Sequence, residues 1–342
     1  MAKYVEVAQS MDPWADLDLC TGMRRFVAEV DAMAASEPPE PSMAEQRRMY
    51  DKFARRYTRK RPAGVRVRDM ATIDGSADPV AIRIYEPVEC AERPAQGLVF
   101  FHGGGFALGS IESHDCVVAE LALATSTIAI SVGYRLAPEN PFPAAFDDAV
   151  RVWKYVQANA DKLGIDPDCI VVGGDSAGAA LAVAVCLKAR AARMRMPAGQ
   201  VLVYPALTAK GDLPSYEEQS VAPMLTAEAL EYFWSLYTKK GQHADDPYAA
   251  PLMAESFIGL PPAFITTANY DPCRDDGALY AQRLKEDGIP VEYRCAAKLS
   301  HGHLRARSMS PAAAAEFAAL GEGIRSLLRL APSCYGRSIE QA

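Results

Sequence analysis

The chain has 342 residues, a formal net charge of -7 and a half share of apolar residues. That length suits one large domain carrying an insertion, or two ordinary domains, with a sizeable core. The acidic balance, and the lack of a basic stripe with interleaved aromatics, argue against a nucleic-acid partner.

Residues 1–60 differ from the rest. Asp16 to Met33 places Leu19, Met23, Phe26, Val27 and Val30 at helical spacing, and Pro38, Pro39 and Pro41 break it. A second helix is predicted from Ser42 to Tyr57, with Ser42 and Glu45 as a capping box. This amphipathic arm reads either as a docked tail or as part of a lid over a site. From Val65 the pattern alternates, as it does again over Val80–Tyr85, with Asp74-Gly75 and Asp78-Pro79 as turns. That predicts an antiparallel pair at a sheet edge. Leu98–Phe101 is continuously apolar, as a central strand is, and ends in His102-Gly103-Gly104-Gly105-Phe106.

Strands and helices then alternate. Helices are predicted at Glu112–Ala124 and Pro143–Ala160, and a strand at Thr127–Tyr134. Cys169 to Val172 reads as a buried strand, followed by the turn Gly174-Asp175-Ser176-Ala177-Gly178 and an alanine-rich helix to Leu187. Further strands are predicted at Val201–Pro205, Ala263–Ala268 and Val291–Cys295, with helices at Asp275–Glu286 and Ala312–Leu330. Such alternation implies a mostly parallel sheet of eight strands with helices on both faces. It stops between Pro205 and Pro262, where one good helix is expected near Thr226–Lys239. An excursion this long is usually functional, and we read it as joining the N-terminal arm in a cap.

Strand, sharp turn, helix is the setting in which Gly-x-Ser-x-Gly becomes a nucleophile elbow. A serine hydroxyl needs a base, and the base needs an acid to orient it. In open parallel sheets these partners collect at the carboxyl ends of strands. Of five histidines, His301 follows the last strand by a short loop, with His303 as its rival; His102, His114 and His243 lie elsewhere. Asp271 directly follows the strand ending at Ala268, with Asp275 and Asp276 nearby; Asp275 suits the N-cap of the next helix. The order Ser176, Asp271, His301 is that of nucleophile, acid, base in a hydrolase of this architecture. Three consecutive glycines let backbone N–H groups converge on an oxyanion, and the Ala177 amide at a helix start adds a donor. No Gly-x-Gly-x-x-Gly follows the first strand, and neither a phosphate-binding Gly-Lys-Ser/Thr loop nor His-Glu-x-x-His occurs, which argues against nucleotide and zinc chemistry.

Taken together, His102–Phe106, Tyr134-Arg135-Leu136-Ala137-Pro138-Glu139, Gly174–Gly178, Tyr270-Asp271-Pro272-Cys273-Arg274-Asp275-Asp276-Gly277 and His301-Gly302 resemble the hormone-sensitive lipase family of α/β hydrolases. They are most similar to its microbial carboxylesterase branch with the Gly-Asp-Ser-Ala-Gly elbow, over residues 65–330. The resemblance implies an α/β-hydrolase fold with a helical cap. Residues 1–60 would form the cap arm, 206–250 the cap insertion, and 61–205 with 251–342 the catalytic domain. It also implies Ser176 as nucleophile, Asp271 as acid, His301 as base, and an oxyanion hole from the amides of Gly104, Gly105 and Ala177, with His102 bracing the loop. Neither cofactor nor metal is implied. Ala179, Cys273 and His303 depart from the family pattern, where glycine, leucine and phenylalanine are usual.

The expected activity is hydrolysis of short- to medium-chain acyl esters through an acyl-enzyme, falling in acid as the base gains its proton. An aryl amidase or deacetylase would use the same triad, an interfacial lipase would prefer long chains, and a non-catalytic receptor on this fold would lack the histidine. The resemblance leans toward a homodimer. The N-terminus lacks the apolar core of a signal peptide and the longest apolar run, ending at Lys188, is too short to span a membrane, so no stable membrane insertion is expected. The eight cysteines, at 20, 90, 116, 169, 186, 273, 295 and 334, show neither Cys-x-x-Cys nor metal spacing and read as buried thiols in a reducing cytoplasm.

Overall fold

A computed structural model describes residues 14–36, 41–57, 60–72, 79–89 and 94–331. The arm contributes α1 (Thr21–Ala34) and α2 (Met43–Tyr57). The expected capping box is in place: the Ser42 hydroxyl accepts from the Glu45 amide at 3.3 Å, and the Ser42 amide donates to the Glu45 carboxylate at 2.8 Å. The sheet then opens with β1 (Val65–Ala71), β2 (Ala81–Pro87) and β3 (Ala95–Phe101), followed by α3 (Ile111–Thr125), β4 (Ile128–Gly133), α4 (Ala144–Ala158) and the short α5 (Ala160–Leu163). Next come β5 (Ile165–Asp175), α6 (Ala177–Ala191), β6 (Gly199–Val203), α7 (Pro214–Glu218) and α8 (Ala227–Tyr237). The chain closes through β7 (Ala263–Tyr270), α9 (Arg274–Glu286), β8 (Val291–Ser300) and α10 (Pro311–Leu330).

The eight strands form one sheet in the order β1-β2-β4-β3-β5-β6-β7-β8. Only the first two pairings, β1 with β2 and β2 with β4, are antiparallel; the rest are parallel. This is the α/β-hydrolase architecture expected from the sequence. The turn residues 73–78 lie outside the described residues.

Continuous apolar runs make the central strands because both of their faces are covered. Leu98 and Phe100 of β3 point with Val171 and Val201 toward α3 and α10, whereas Val99 and Phe101 point with Val172 and Leu202 toward α4, α6 and α9. Side chains alternate with period two, so both runs are buried. A third cluster joins Met23, Phe26 and Val27 of α1 to Ala268, Ala296 and Leu299 at the β7–β8 edge. The arm is therefore seated beside the carboxyl ends of those strands.

Two expectations need correction. Asp275 is not the N-cap of α9; Cys273 holds that position, and Asp275 lies in the first turn, where it accepts from the Ser215 amide at 2.9 Å and pairs with Arg274. Nor are the cysteines all buried thiols. Cys116, Cys186 and Cys273 are buried thiols as expected, but Cys20 is half-buried, Cys295 is an exposed thiol and Cys169 is disulfide-bonded. A second sulfur brought to β5 by the fold is invisible in a linear apolar run. Cys90 and Cys334 lie outside the described residues.

Candidate active site

β5 runs directly into Ser176, whose backbone stands at φ 54° and ψ -121°. L residues rarely adopt that conformation, and it persists only where the surroundings impose it. Here the Ser176 amide donates to Val203 O at 2.9 Å, and the Ser176 carbonyl accepts from the Ala179 amide at 3.0 Å. Gly178 lets α6 press onto β3, since a Cβ there would overlap the backbone of Phe101 and His102.

The hydroxyl so presented meets His301. Ser176 Oγ lies 3.0 Å from His301 Nε2, and His301 Nδ1 lies 2.8 Å from Asp271 Oδ2. Asp271 is fully buried, and its other oxygen accepts from the Cys273 amide at 2.8 Å. β7 and β8 end side by side, which is why residues 30 positions apart in sequence meet. A hydroxyl, an imidazole and a buried carboxylate in series can pass the hydroxyl proton to the ring and orient the resulting imidazolium. Asp271, Cys273 and His301 also bring ligand-type atoms within 4.8 Å of one another. The direct carboxylate–imidazole contact and the amide on the second oxygen identify a hydrogen-bond chain there, not a cage for an ion.

His303 is not at this position. Its ring is buried, with Nδ1 3.2 Å from Ser300 O, Nε2 unpartnered, and its edge against Tyr204. Burial pushes its pKa down to about 4. His243 packs on Phe142, with ring centroids 5.1 Å apart.

The glycine loop stands opposite. Gly104 and Gly105 have φ of 125° and 60°, and a Cβ on Gly105 would collide with the Phe233 ring. Both glycines line the cavity that holds Ser176 and His301. Ala177 opens α6, where first-turn amides have no partner within the helix. His102 lies behind the loop, stacked on Tyr134 with ring centroids 4.2 Å apart, while Tyr134 donates to His102 O at 2.6 Å. Burial holds its pKa down at about 3, so the ring is neutral and braces the loop.

Three residues escaped the sequence reading. Asp175 accepts from the Gly103 amide at 2.9 Å, His114 sits 3.2 Å from the same oxygen, and Arg305 approaches His114 at 3.3 Å. Asp175 is the variable residue of its motif, and nothing in the sequence links it to positions 114 or 305.

The cavity over Ser176 has a volume near 1470 Å³. Its walls come from α1, α2, the glycine loop and α8, and include Ala28, Tyr50, Phe53, Leu108, Met224 and Phe233.

Residues 98–305 match the family model described as alpha/beta hydrolase fold. The chain belongs to the alpha/beta hydrolase fold family. It is 39% identical to the esterase LipI of Mycobacterium tuberculosis over 251 residues, covering 73% of this chain and 78% of the relative. Among solved structures it is similar to an ester hydrolase from the metagenome of Lake Arreo, with a TM-score of 0.85, 33% identity, and 90% and 98% of the two chains covered. A hyperthermophilic esterase of Pyrobaculum calidifontis superposes with a TM-score of 0.82 at 35% identity, covering 90% and 98%. Fold, relatives and geometry make this member of the family a serine-type carboxylic ester hydrolase. Among the described residues no helix is long and apolar enough to cross a membrane.

Proposed function

We propose that Ser176 is the nucleophile, His301 the general base and Asp271 the orienting acid of a carboxylesterase acting on short- to medium-chain acyl esters. The hydrogen-bond chain from Ser176 through His301 to Asp271 carries this reading. Ser176 Oγ attacks the ester carbonyl and its proton passes to His301 Nε2. The carbonyl oxygen becomes an oxyanion held by the amides of Gly104, Gly105 and Ala177. The tetrahedral species expels the alcohol, which takes the proton from His301. Water, deprotonated by the same ring, then attacks the acyl-serine and releases the acid.

The cavity exceeds the roughly 300–1,000 Å³ of an ordinary small-molecule site, and its apolar walls suit acyl groups beyond acetate. We assign residues 1–60 and 206–250 to a cap over a catalytic domain of 61–205 and 251–342, because α1, α2 and α8 all reach this cavity. The Gly-Asp-Ser-Ala-Gly elbow and the His-Gly-Gly-Gly loop support assigning the chain to the hormone-sensitive lipase branch. The free thiols suit a cytoplasmic site of action, with the bridge at Cys169 as the observation that pulls the other way.

Initial rates on p-nitrophenyl esters from acetate to palmitate, wild type beside Ser176→Ala, test the assignment. Turnover is expected to peak at short or medium chains and to fall to background in the variant. A folded Ser176→Ala protein that keeps wild-type rates removes Ser176 from the mechanism, and a maximum at palmitate assigns an interfacial lipase instead.

A further inference from the structure

We infer that Arg305 is a positioning residue for the oxyanion loop, acting through His114 and Asp175 and tied to the N-terminal arm through Tyr50; this rests on the reading of Ser176 as nucleophile.

Asp175 immediately precedes Ser176 and is buried. Its Oδ1 accepts from the Gly103 amide at 2.9 Å, and Tyr204 donates to Oδ2 at 3.4 Å. The Gly103 amide leads into Gly104 and Gly105, so the direction of the two proposed oxyanion donors depends on this carboxylate staying charged and in place. Burial alone would raise the Asp175 pKa; His114, Arg305 and the Gly103 amide together outweigh that and hold it down at about 2.

Beyond His114, compensating charge comes from Arg305, whose guanidinium is also buried. Nη1 donates to Ser113 O at 2.8 Å, while Nη2 donates to Tyr50 Oη at 2.9 Å and lies 3.3 Å from His114 Nε2. Among the described residues Arg305 forms no direct ion pair with a carboxylate, so its charge reaches Asp175 across the imidazole. His114 Nε2 is 3.2 Å from Asp175 Oδ1, and Nδ1 is 2.9 Å from the Ser113 hydroxyl. A neutral ring that donates from Nε2 to Asp175 has no lone pair left there for Arg305 Nη2, so the guanidinium acts on the carboxylate across the ring by charge and not through a hydrogen bond. A buried carboxylate and a buried cation separated by a neutral ring depend on each other, because removing either strands the other in a low dielectric. The guanidinium also lies over the rings of Tyr50 and Phe53, at 5.0 and 5.6 Å. Both belong to α2 and both line the cavity. One side chain thus touches the wall that receives substrate and the network beneath the oxyanion amides.

The test uses the full chain with Arg305→Met, Arg305→Lys and Tyr50→Phe, assayed on p-nitrophenyl hexanoate. Active serine is counted by a p-nitrophenyl phosphonate, whose phosphorus bonds Ser176 Oγ as p-nitrophenolate leaves and His301 takes the hydroxyl proton. Removing one oxyanion donor costs about 10²–10³ in kcat, so a disordered donor pair in Arg305→Met is expected to cost about tenfold or more per active serine. KM should stay within about twofold, the phosphonate labelling rate should fall in parallel because its oxygen occupies the same hole, and Arg305→Lys should restore part of both. Tyr50→Phe, which removes one hydroxyl, should lower kcat by a smaller factor in the same direction. An unchanged kcat per active serine in Arg305→Met, or a rise in KM alone, overturns the proposal and makes Arg305 a wall or stability residue. Should Arg305→Met not fold, Tyr50→Phe decides, and an unchanged kcat and labelling rate per active serine in that variant overturns the proposal. A folded wild type that the phosphonate does not label overturns the reading of Ser176 instead.

Discussion

Asp271 places a fully buried carboxylate 2.8 Å from His301 Nδ1. It therefore sets which ring nitrogen faces Ser176 as an acceptor. Asp271→Asn keeps the shape but offers an amide that favours the opposite tautomer. The expected outcome is a loss of about 10⁴ in kcat with little change in Tm, read from steady-state rates on p-nitrophenyl hexanoate and a thermal melt. His303, two residues past His301, predicts an effect on stability. Its pKa is pushed by burial from 6.5 down to about 4. The folded state resists a proton that the unfolded state accepts, so the stability His303 contributes is present above pH 6.5 and is lost as pH falls toward 4. His303→Phe, which also removes the unpartnered Nε2, is expected to flatten part of the drop in Tm across that window. A drop of equal size in wild type and variant would show that other groups carry it.

At the scale of elements, α8 decides how the cavity is closed over the glycine loop. Thr226 caps its start, its hydroxyl accepting from the Ala229 amide at 3.1 Å. One face of the helix packs Trp234 and Tyr237 on Phe106, with the Tyr237 and Phe106 rings stacked 3.7 Å apart. Phe233 presents its ring to Gly105. The excursion and the glycine loop are thus held together through aromatic contacts from consecutive turns of one helix. Thr226→Ala removes the cap bond and is expected to cost about 1 kcal/mol of stability, seen as a lower Tm. Phe233→Ala opens the wall beside the glycine loop. Its ester-chain profile is expected to shift toward longer acyl groups relative to acetate, and an unchanged profile would place the acyl chain elsewhere in the cavity.

Across the whole molecule, a buried carboxyl group helps to anchor the excursion between β6 and β7. Asp276 on α9 is fully buried and accepts at Oδ2 from the amides of Leu207 and Thr208, at 2.6 and 3.1 Å, and from Tyr216 Oη at 3.4 Å. Burial pushes its pKa from 3.8 up to about 8, despite those donors. The folded state then holds a proton that the unfolded chain releases. The stability it contributes is fully present below pH 3.8 and is lost as pH rises through about 8. Asp276→Asn imitates the protonated form and keeps an oxygen for the two amides. Wild-type Tm is expected to fall between about pH 6 and about pH 9 by more than that of the variant. Parallel curves would mean that Asp276 is already ionised in the fold.

Much of this was legible before any coordinates. The eight strands follow from apolar runs and alternation, and the elbow follows from the strand and helix flanking Gly174–Gly178. Ser176, Asp271 and His301 each stand just past a strand end, so chain order alone brought them into one register at the carboxyl edge of the sheet. Other features were decided only by tertiary packing. Sequence left His301 and His303 as rivals, and only the path of the chain after β8 turns one ring toward Ser176 and buries the other. Cys273 rather than Asp275 at the N-cap, the bridge at Cys169, and the cluster of Asp175, His114 and Arg305 were equally hidden. Local pattern records which face of an element is apolar and where the chain turns, because those depend on neighbouring residues. Which buried charge finds which partner depends on groups separated by 61 positions, as His114 and Asp175 are, or by 191, as His114 and Arg305 are. Only the closed fold brings such groups together.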